Sequence, residues 1–314
     1  MRVCERGARS YRIQPDASKY LLHFRRHNTA YRTQEFHGGH DLPRRQRRAG
    51  ARRGSERNGT TAGDFTRSFG TGTGQLYFYA GGGFSAYGTA RTLNLGGATG
   101  TVTWASGGFI SEGKTLILSS PYANATLVFE NPIALQARVR EIREQNGSAA
   151  VDARLTGKIS GYSVAGLVKS GEGTLELTAQ QDYRGTVSVI GGGLRLGADN
   201  VYAGGTNALA LSGATLDAGT SRNAFDTLDI LTGSTIALGT GAAALSFADC
   251  RDMKWTGSLT LSGKLGPTTL RFGTDKNGLT AAQSASISMS GGSRYLDDLG
   301  YLRQVPRGSL ISVK

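Results

Sequence analysis

Cysteine, proline and long apolar runs are all scarce in this chain of 314 residues. The two cysteines, Cys4 and Cys250, form no Cys-x-x-Cys pair, so a disulfide-dense scaffold is excluded. Six prolines, with glycine far below one residue in three, exclude collagen. No run of about 20 apolar residues is present, so no transmembrane helix is predicted. The longest apolar stretch near the start, 20–22, is too short for the core of a secretion signal.

Positive charge is concentrated at the start of the chain, and glycine is concentrated after it. The net charge is +13, but 16 of the 36 Lys and Arg residues lie in 1–67. Of the 47 glycines, 41 follow residue 62. This change of composition predicts a basic leader of low order at 1–62, a folded domain at 63–305 and a short tail at 306–314. Such a leader binds phosphate groups weakly, and we predict no specific nucleic-acid function from it.

Short alternating runs dominate the chain after residue 63. Apolar residues at positions i and i+2 place both side chains on one face of a strand. Glycines between the runs permit the positive φ angles of tight corners. Two segments differ: 139–144 fits a helix or an exposed strand, and 279–283 is the best candidate for a single helical turn. The alternating runs are 93–95, 102–104, 116–118, 127–129, 175–177, 187–189, 194–196, 209–211, 259–261 and 270–272.

The pattern recurs every 20 to 30 residues, which is typical of a solenoid whose units cannot bury their own apolar faces. We therefore predict an all-β fold, a parallel β-helix of about 10–12 rungs, about 50 Å long. The alternative is an antiparallel sandwich or barrel, which also has many short strands. Few hairpin dipeptides are present, the main ones being Asn146-Gly147 and Asn277-Gly278, and this favours the β-helix.

The segments 166–178, 183–189 and 193–197 resemble the autotransporter-associated β-strand repeat, with the pattern GLxKxGxGTLxL, YxGxTxV and GxLxLG. Gln181 stands where that repeat usually has Asn, and 190–192 widens the last turn. The resemblance implies a right-handed parallel β-helix passenger that is secreted or exposed at the cell surface. It also implies that the repeat assists transport and folding. We predict that the partners are the export machinery and extracellular or cell-surface ligands, and that the protein is a monomer.

Neither end of the sequence matches what the resemblance implies for a whole autotransporter. No secretion signal is visible before the repeat, and no membrane anchor follows Val305. The arginine-rich run at 43–53 resembles out-of-frame translation of GC-rich DNA. We therefore expect the chain to be a fragment, or its ends to come from a wrong start or a shifted reading frame.

One motif has the spacing of a phosphate-binding loop. Gly108, Gly113, Lys114 and Thr115 fit G-x4-G-K-[ST], which binds phosphate through a loop at the start of a helix. The residues that follow, 116–118, form a strand pattern instead. We therefore predict a solenoid corner with an exposed lysine, and no nucleotide cofactor.

Paired carboxylates suggest glycoside hydrolysis, because some parallel β-helices cleave polysaccharides with clustered acids. No histidine accompanies these acids, since all four histidines precede residue 63, and aspartate is also an ordinary turn residue. We therefore predict no catalytic residues. The pairs are Asp226 with Asp229, Asp249 with Asp252, and Asp297 with Asp298.

The remaining reactive residues are interpreted as structural. The histidines lack the spacing and folded context of a zinc site, so no metal is predicted. Cys250 has no base nearby in sequence and is predicted to be an inert thiol. Tyr183 is predicted to begin an aromatic stack in the core. The histidines are His23, His27, His37 and His40.

The function predicted from the sequence is a non-enzymatic, adhesin-like structural stalk at the cell surface or outside the cell. The alternative is a β-helical carbohydrate-active enzyme or carbohydrate-binding protein. That alternative requires a groove lined by converging carboxylates and aromatic rings.

Overall fold

A computed structural model gives the fold of the chain. It describes residues 65–290 and 292–305 in full, together with the backbone of two strands, Lys19–Arg26 and Ala30–His37. The rest of the leader and the tail at 306–314 lie outside the described residues. The predicted boundary at residue 62 and the low order predicted for the leader therefore stay predictions.

The described part of the chain consists almost entirely of short strands, with one helix, α1 (Ala281–Ser286). In chain order the strands are β1 (Lys19–Arg26), β2 (Ala30–His37), β3 (Gly82–Ala86), β4 (Arg91–Leu93), β5 (Val102–Thr103), β6 (Leu116–Leu118), β7 (Leu127–Phe129), β8 (Ile133–Ala134), β9 (Val139–Glu144), β10 (Ala153–Leu155), β11 (Ile159–Ser160), β12 (Gly166–Ser170), β13 (Thr174–Leu177), β14 (Val187–Val189), β15 (Gly193–Leu196), β16 (Leu209–Leu211), β17 (Thr215–Asp217), β18 (Arg222–Ala224), β19 (Leu228–Ile230), β20 (Ser234–Ala237), β21 (Ala244–Phe247), β22 (Leu259–Ser262), β23 (Leu270–Phe272), β24 (Ile287–Ser288), β25 (Arg294–Leu296) and β26 (Leu302–Gln304).

The strands stack into parallel sheets. Sheet A runs β19-β16-β14-β12-β9-β6-β3, with β1 and β2 added antiparallel at its edge. Sheet B contains nine parallel strands in the order β24-β22-β20-β17-β15-β13-β10-β7-β4. Two three-stranded parallel sheets, β11-β8-β5 and β18-β21-β23, occupy further faces, and β25-β26 is an antiparallel pair. The prediction of an all-β parallel solenoid is confirmed, whereas its right-handed sense stays a prediction.

Consecutive strands of one sheet belong to successive rungs, and their residues are in register. In sheet B this aligns Leu127, Ala153, Leu175, Leu194 and Leu216 in one column, and each of these side chains is buried. The period of two places the next residue of each strand outward. The alternation of apolar and polar residues therefore produces one continuous core along the stack.

Rung length varies along the solenoid. Asn94 and Glu130 hydrogen-bond across adjacent rungs and are 36 residues apart in sequence. Arg154 and Glu176, which do the same at the repeat, are only 22 residues apart. Among the described residues, sheet B contributes nine strands on successive rungs, and Phe65 adds a further parallel bridge to Leu93 at its end.

Helix α1 lies close to the single turn predicted at 279–283. Thr280 caps its start, because its hydroxyl accepts a hydrogen bond from the backbone of Gln283. The Gln283 amide donates to the carbonyls of Cys250 and Met253, which fixes the helix to the preceding rung. Across the described residues, α1 included, no helix is long and apolar enough to cross a membrane.

The ambiguous segment 139–144 is strand β9, and its charges do not all face outward as an exposed strand requires. Arg140 and Glu144 are buried, while Arg143 is exposed. The Arg140 guanidinium contacts the Glu112 carboxylate at 2.9 Å and lies over the Trp104 ring at 5.8 Å. These interactions compensate for burying the charge of Arg140.

Candidate functional site

The lysine of the repeat occupies a position in the hydrophobic core. In sheet A, Lys169 pairs in register with Ile142 of the preceding rung and Val189 of the following rung. Leu116 and Leu211 extend this inward column on either side. Lys169 has no exposed surface, so its charge must be satisfied inside the solenoid.

Three backbone carbonyls accept hydrogen bonds from the Lys169 ammonium. Nζ lies 2.7 Å from the oxygen of Gly171, 2.5 Å from that of Gly173 and 2.9 Å from that of Gly191. Gly171 and Gly173 belong to the corner of the lysine's own rung, and Gly191 belongs to the corner of the next rung. The side chain therefore joins two successive corners of the repeat.

A carboxylate from the preceding rung completes the surroundings of Lys169. Glu144 Oε2 lies 3.7 Å from Nζ, and Glu144 has no exposed surface. Neither Glu144 oxygen has a hydrogen-bond partner among the described residues. Burial raises the pKa of Glu144 to about 8, an effect opposed by the charge of Lys169. Burial lowers the pKa of Lys169, and Glu144 opposes that shift.

The glycines beside Lys169 are required by close approach of neighbouring rungs. A Cβ at Gly171, whose φ is +78°, would lie 2.2 Å from the carbonyl oxygen of Glu144. A Cβ at Gly173 would lie 2.9 Å from the Cβ of Glu144. The K-x-G-x-G spacing of the repeat therefore has a direct steric and hydrogen-bonding cause in this chain.

Aromatic rings stack along the core, as predicted for Tyr183. The Tyr183 and Tyr202 rings lie 6.3 Å apart, and their hydroxyls are hydrogen-bonded at 2.9 Å. From Tyr202 the stack continues through Phe225, Phe247 and Phe272 at centroid distances of 4.7, 5.7 and 5.2 Å. Each rung after the repeat thus contributes one buried ring to a common column.

Alternating charges line the outer face of sheet B beside the repeat. Arg154, Glu176, Arg195 and Asp217 are in-register neighbours on four rungs. Glu176 forms ion pairs with Arg154 and Arg195, and Arg195 lies 3.4 Å from Asp217. This order of charges favours the observed order of rungs. If one rung were skipped, side chains of like charge would lie opposite each other.

The motif with phosphate-loop spacing forms a solenoid corner. The backbone of Lys114 donates to the Ser111 carbonyl, and strand β6 follows immediately. The Thr115 hydroxyl donates to Glu141 at 2.7 Å. Without a helix after the loop, the arrangement lacks the helix N-terminus on which such phosphate sites depend.

The predicted acidic pairs are distributed among corners. Asp249 is hydrogen-bonded to Arg251, which lowers the pKa of its carboxylate. Asp297 accepts hydrogen bonds from the Tyr301 backbone and from Arg303, and these outweigh burial and lower its pKa. Burial raises the pKa of Asp229. Within 65–290 and 292–305 no group of three metal-ligating side chains is close enough to hold a metal ion. The predictions of no catalytic, cofactor or metal residues stay predictions.

Cys250 is a buried free thiol. It accepts a hydrogen bond from the backbone of Leu228 at 3.2 Å, and its sulfur lies 3.3 Å from the carbonyl oxygen of Ala248. Burial raises the pKa of this thiol to about 12, so it is protonated at neutral pH and is not a nucleophile. The side chains of the four leader histidines lie outside the described residues.

Two exposed tyrosines form a feature that the sequence analysis did not identify. Tyr77 and Tyr79 are 39% and 80% exposed, and their ring centroids lie 4.6 Å apart. Phe78 between them is buried, so the two tyrosine rings lie on the outward side of the chain and Phe78 on the inward side. The alternation Tyr-Phe-Tyr was the available sequence signal.

Comparison with curated proteins finds a relative of this chain. The chain is 27% identical over 221 residues to the adhesin BmaC autotransporter of Brucella suis biovar 1 (strain 1330), a match that covers 69% of this chain and 5% of that protein. The chain thus corresponds to about one twentieth of the relative's length. No family model matches the sequence. No solved structure matches it either. The similarity supports a chain related to autotransporters, and the type of repeat stays a prediction.

Proposed function

We propose that this chain is a non-enzymatic passenger segment, secreted or exposed at the cell surface. It forms an adhesin-like stalk, and the repeat at 166–197 assists the folding of the passenger during export. Its partners are the export machinery and extracellular or cell-surface ligands, and it acts as a monomer.

The observation that carries this proposal is the unbroken in-register stack of parallel rungs. Each rung adds its apolar residues to columns that already exist, such as Ala153, Leu175 and Leu194 in sheet B. Folding can therefore progress rung by rung as the chain emerges from a pore, and no distant segment is needed for each step. A long, regular stack also separates an adhesive tip from the cell.

The repeat contributes a specific link between rungs. The Lys169 ammonium bonds the corner of its own rung and the Gly191 carbonyl of the next one. Until Gly191 docks, one acceptor of this buried charge is missing, so docking of the next rung is favoured. This coupling supports a role of the repeat in folding.

The curated relative supports the adhesive role and the surface location, because its name describes an autotransporter adhesin. The environments of the acids support a non-enzymatic role. Asp249 and Asp297 are each held by an arginine, and the Cys250 thiol is protonated at neutral pH. None of these groups is poised as an acid, a base or a nucleophile.

Surface display with an adhesion assay tests the proposal. The full chain is joined to a secretion signal and an autotransporter translocator and produced in a non-adherent bacterium. We expect antibody labelling of intact cells and attachment to immobilised extracellular-matrix or epithelial-cell surfaces. Leu177→Asp is the control, because an unpaired charge in the core abolishes the fold. Wild-type chain that is displayed and folded but confers no attachment would overturn the adhesive role.

A further inference from the structure

We propose that Tyr77, Tyr79 and Lys114 form a binding subsite for acidic polysaccharide, with the two rings against the faces of sugar units and the ammonium near a uronate carboxylate. The proposal specifies a ligand class for the adhesin-like chain and rests on that function only for its biological setting. The binding itself is a property of the purified protein.

The tyrosine pair is held in place from below. Gly108 has a φ of +89°, and a Cβ at this position would lie 2.9 Å from Cδ2 of Tyr77. The loop therefore fits against the Tyr77 ring only because residue 108 has no side chain. The hydrogen bond from the Phe78 backbone to the Gly108 carbonyl, at 2.8 Å, fixes the two segments together.

The chemistry of the pair suits a sugar. Tyrosine offers a large rigid face at low conformational entropy cost, with a hydroxyl that donates and accepts hydrogen bonds. Tyr79 leaves most of its ring to solvent, while its neighbour in the chain, Phe78, is fully buried. The two ring planes are tilted by 46° and together form an angled apolar platform on which sugar units can stack.

A cation lies at the end of the tyrosine row. Gly81 follows Tyr79 by two residues, and a Cβ placed there would lie 3.5 Å from the Cβ of Lys114. Lys114 is exposed and forms no ion pair with any described residue. The nearby Glu112 carboxylate is bound to Arg140 at 2.9 Å, so its charge is neutralised. The row thus favours an anionic sugar over a neutral one.

Titration of the purified full chain with a hyaluronan decasaccharide, which carries glucuronate on alternate units, tests the subsite. The carboxyl-reduced decasaccharide serves as the neutral probe. We expect Tyr79→Ala to weaken binding of both probes about tenfold, the order contributed by one stacked ring. Lys114→Gln should weaken only the charged probe, about threefold, and less at high salt. The titrations are performed in 150 mM salt, since the basic leader attracts any polyanion, and those of Lys114→Gln are repeated at higher salt.

Matched variants separate the subsite from general effects. Tyr122→Ala removes another exposed tyrosine, 69% exposed, and Lys254→Gln removes another exposed lysine. Both should bind like the wild type, and circular dichroism should show all four variants folded. The proposal is overturned if neither probe binds, if Tyr79→Ala binds normally, or if the control variants lose as much affinity. It is also overturned if oligo(dT), rather than hyaluronan, binds with dependence on Tyr79, because the partner would then be single-stranded nucleic acid.

Discussion

Lys169 Nζ lies 3.7 Å from Glu144 Oε2, and neither side chain has exposed surface. The two residues come from adjacent rungs, and Lys169 also bonds the Gly191 carbonyl of the rung that follows. Three rungs thus meet at one buried ammonium. Such a site is stable only while all three are in place, so it makes the repeat a cooperative unit.

Removing the lysine should weaken the fold strongly. Lys169→Met keeps the volume of the column but leaves Glu144 and three backbone carbonyls without their donor. Each buried polar group left without its partner costs about 1–3 kcal/mol, so the free energy of unfolding should fall by several kcal/mol. Urea unfolding followed by circular dichroism measures the free energy of unfolding.

The double variant Lys169→Met/Glu144→Leu is the control for this prediction. It removes the isolated carboxyl as well, so it should be more stable than Lys169→Met alone. A single variant as stable as the wild type would show that the ammonium contributes nothing to the corner.

The Glu144 carboxyl should make stability depend on pH. Its pKa is about 8 in the folded chain and near 4.5 when exposed, because burial favours the protonated form. The folded state therefore binds more protons between these values, and stability falls as pH rises from about 4.5 to 8. The neutral variant Glu144→Gln lacks this dependence. Urea unfolding at pH 5 and pH 8 should show similar stabilities at pH 5 and a more stable variant at pH 8. If wild type and Glu144→Gln differed in free energy of unfolding by the same amount at both pH values, the pKa shift of Glu144 would be contradicted.

The buried aromatic column should contribute more to the free energy of unfolding than an exposed aromatic residue does. Phe225 is buried between Tyr202 and Phe247, at centroid distances of 4.7 and 5.7 Å. Phe225→Ala leaves a cavity and should lower the free energy of unfolding by about 3–5 kcal/mol. Tyr122→Ala, on the surface, should change it by less than about 0.5 kcal/mol. Thermal and urea unfolding measure both variants, and equal destabilisation by Phe225→Ala and Tyr122→Ala would argue against a continuous stack.

Two glycines should differ in how well they tolerate substitution by alanine, because neighbouring rungs approach only one of them closely. A Cβ at Gly185 would lie 2.0 Å from the carbonyl oxygen of Ala165, whereas a Cβ at Gly100 would have no atom within 4 Å. Gly185→Ala should therefore destabilise the protein by several kcal/mol, on the order of other backbone clashes. Gly100→Ala should be neutral or slightly stabilising, since it restricts the unfolded chain. Differential scanning calorimetry measures both, and a tolerated Gly185→Ala would contradict the rung spacing at this corner.

Strand positions were predictable because they depend on local alternation, and the parallel class was predictable from the recurrence of that alternation with few hairpin dipeptides. The runs at 127–129 and 187–189, for example, coincide with β7 and β14. The length of each rung was less predictable, because nothing local indicates that the rung after Asn94 needs 36 residues. Long corners leave no periodic trace in the sequence.

The buried charges were harder to predict than the strands. Lys169 is two residues after Leu167 in the same strand, so the period of two places both side chains on the inward face. A lysine in a sequence, however, is normally interpreted as exposed. Its partners are the carbonyls of Gly171, Gly173 and Gly191, which carry no side-chain signal. The tyrosine row beside Lys114 likewise depends on which corner lies next to which segment, and this is determined by tertiary stacking.

The central claim is that residues 65–288 form a parallel β-solenoid, which we propose is displayed outside the cell. Protease treatment of intact cells that carry the exported full chain, followed by mass spectrometry of the resistant fragments, tests this most directly. The account predicts one resistant fragment spanning about 65–305, released without cell lysis. Cleavage within 166–197 on intact cells, or a fragment that becomes accessible only after lysis, would contradict it.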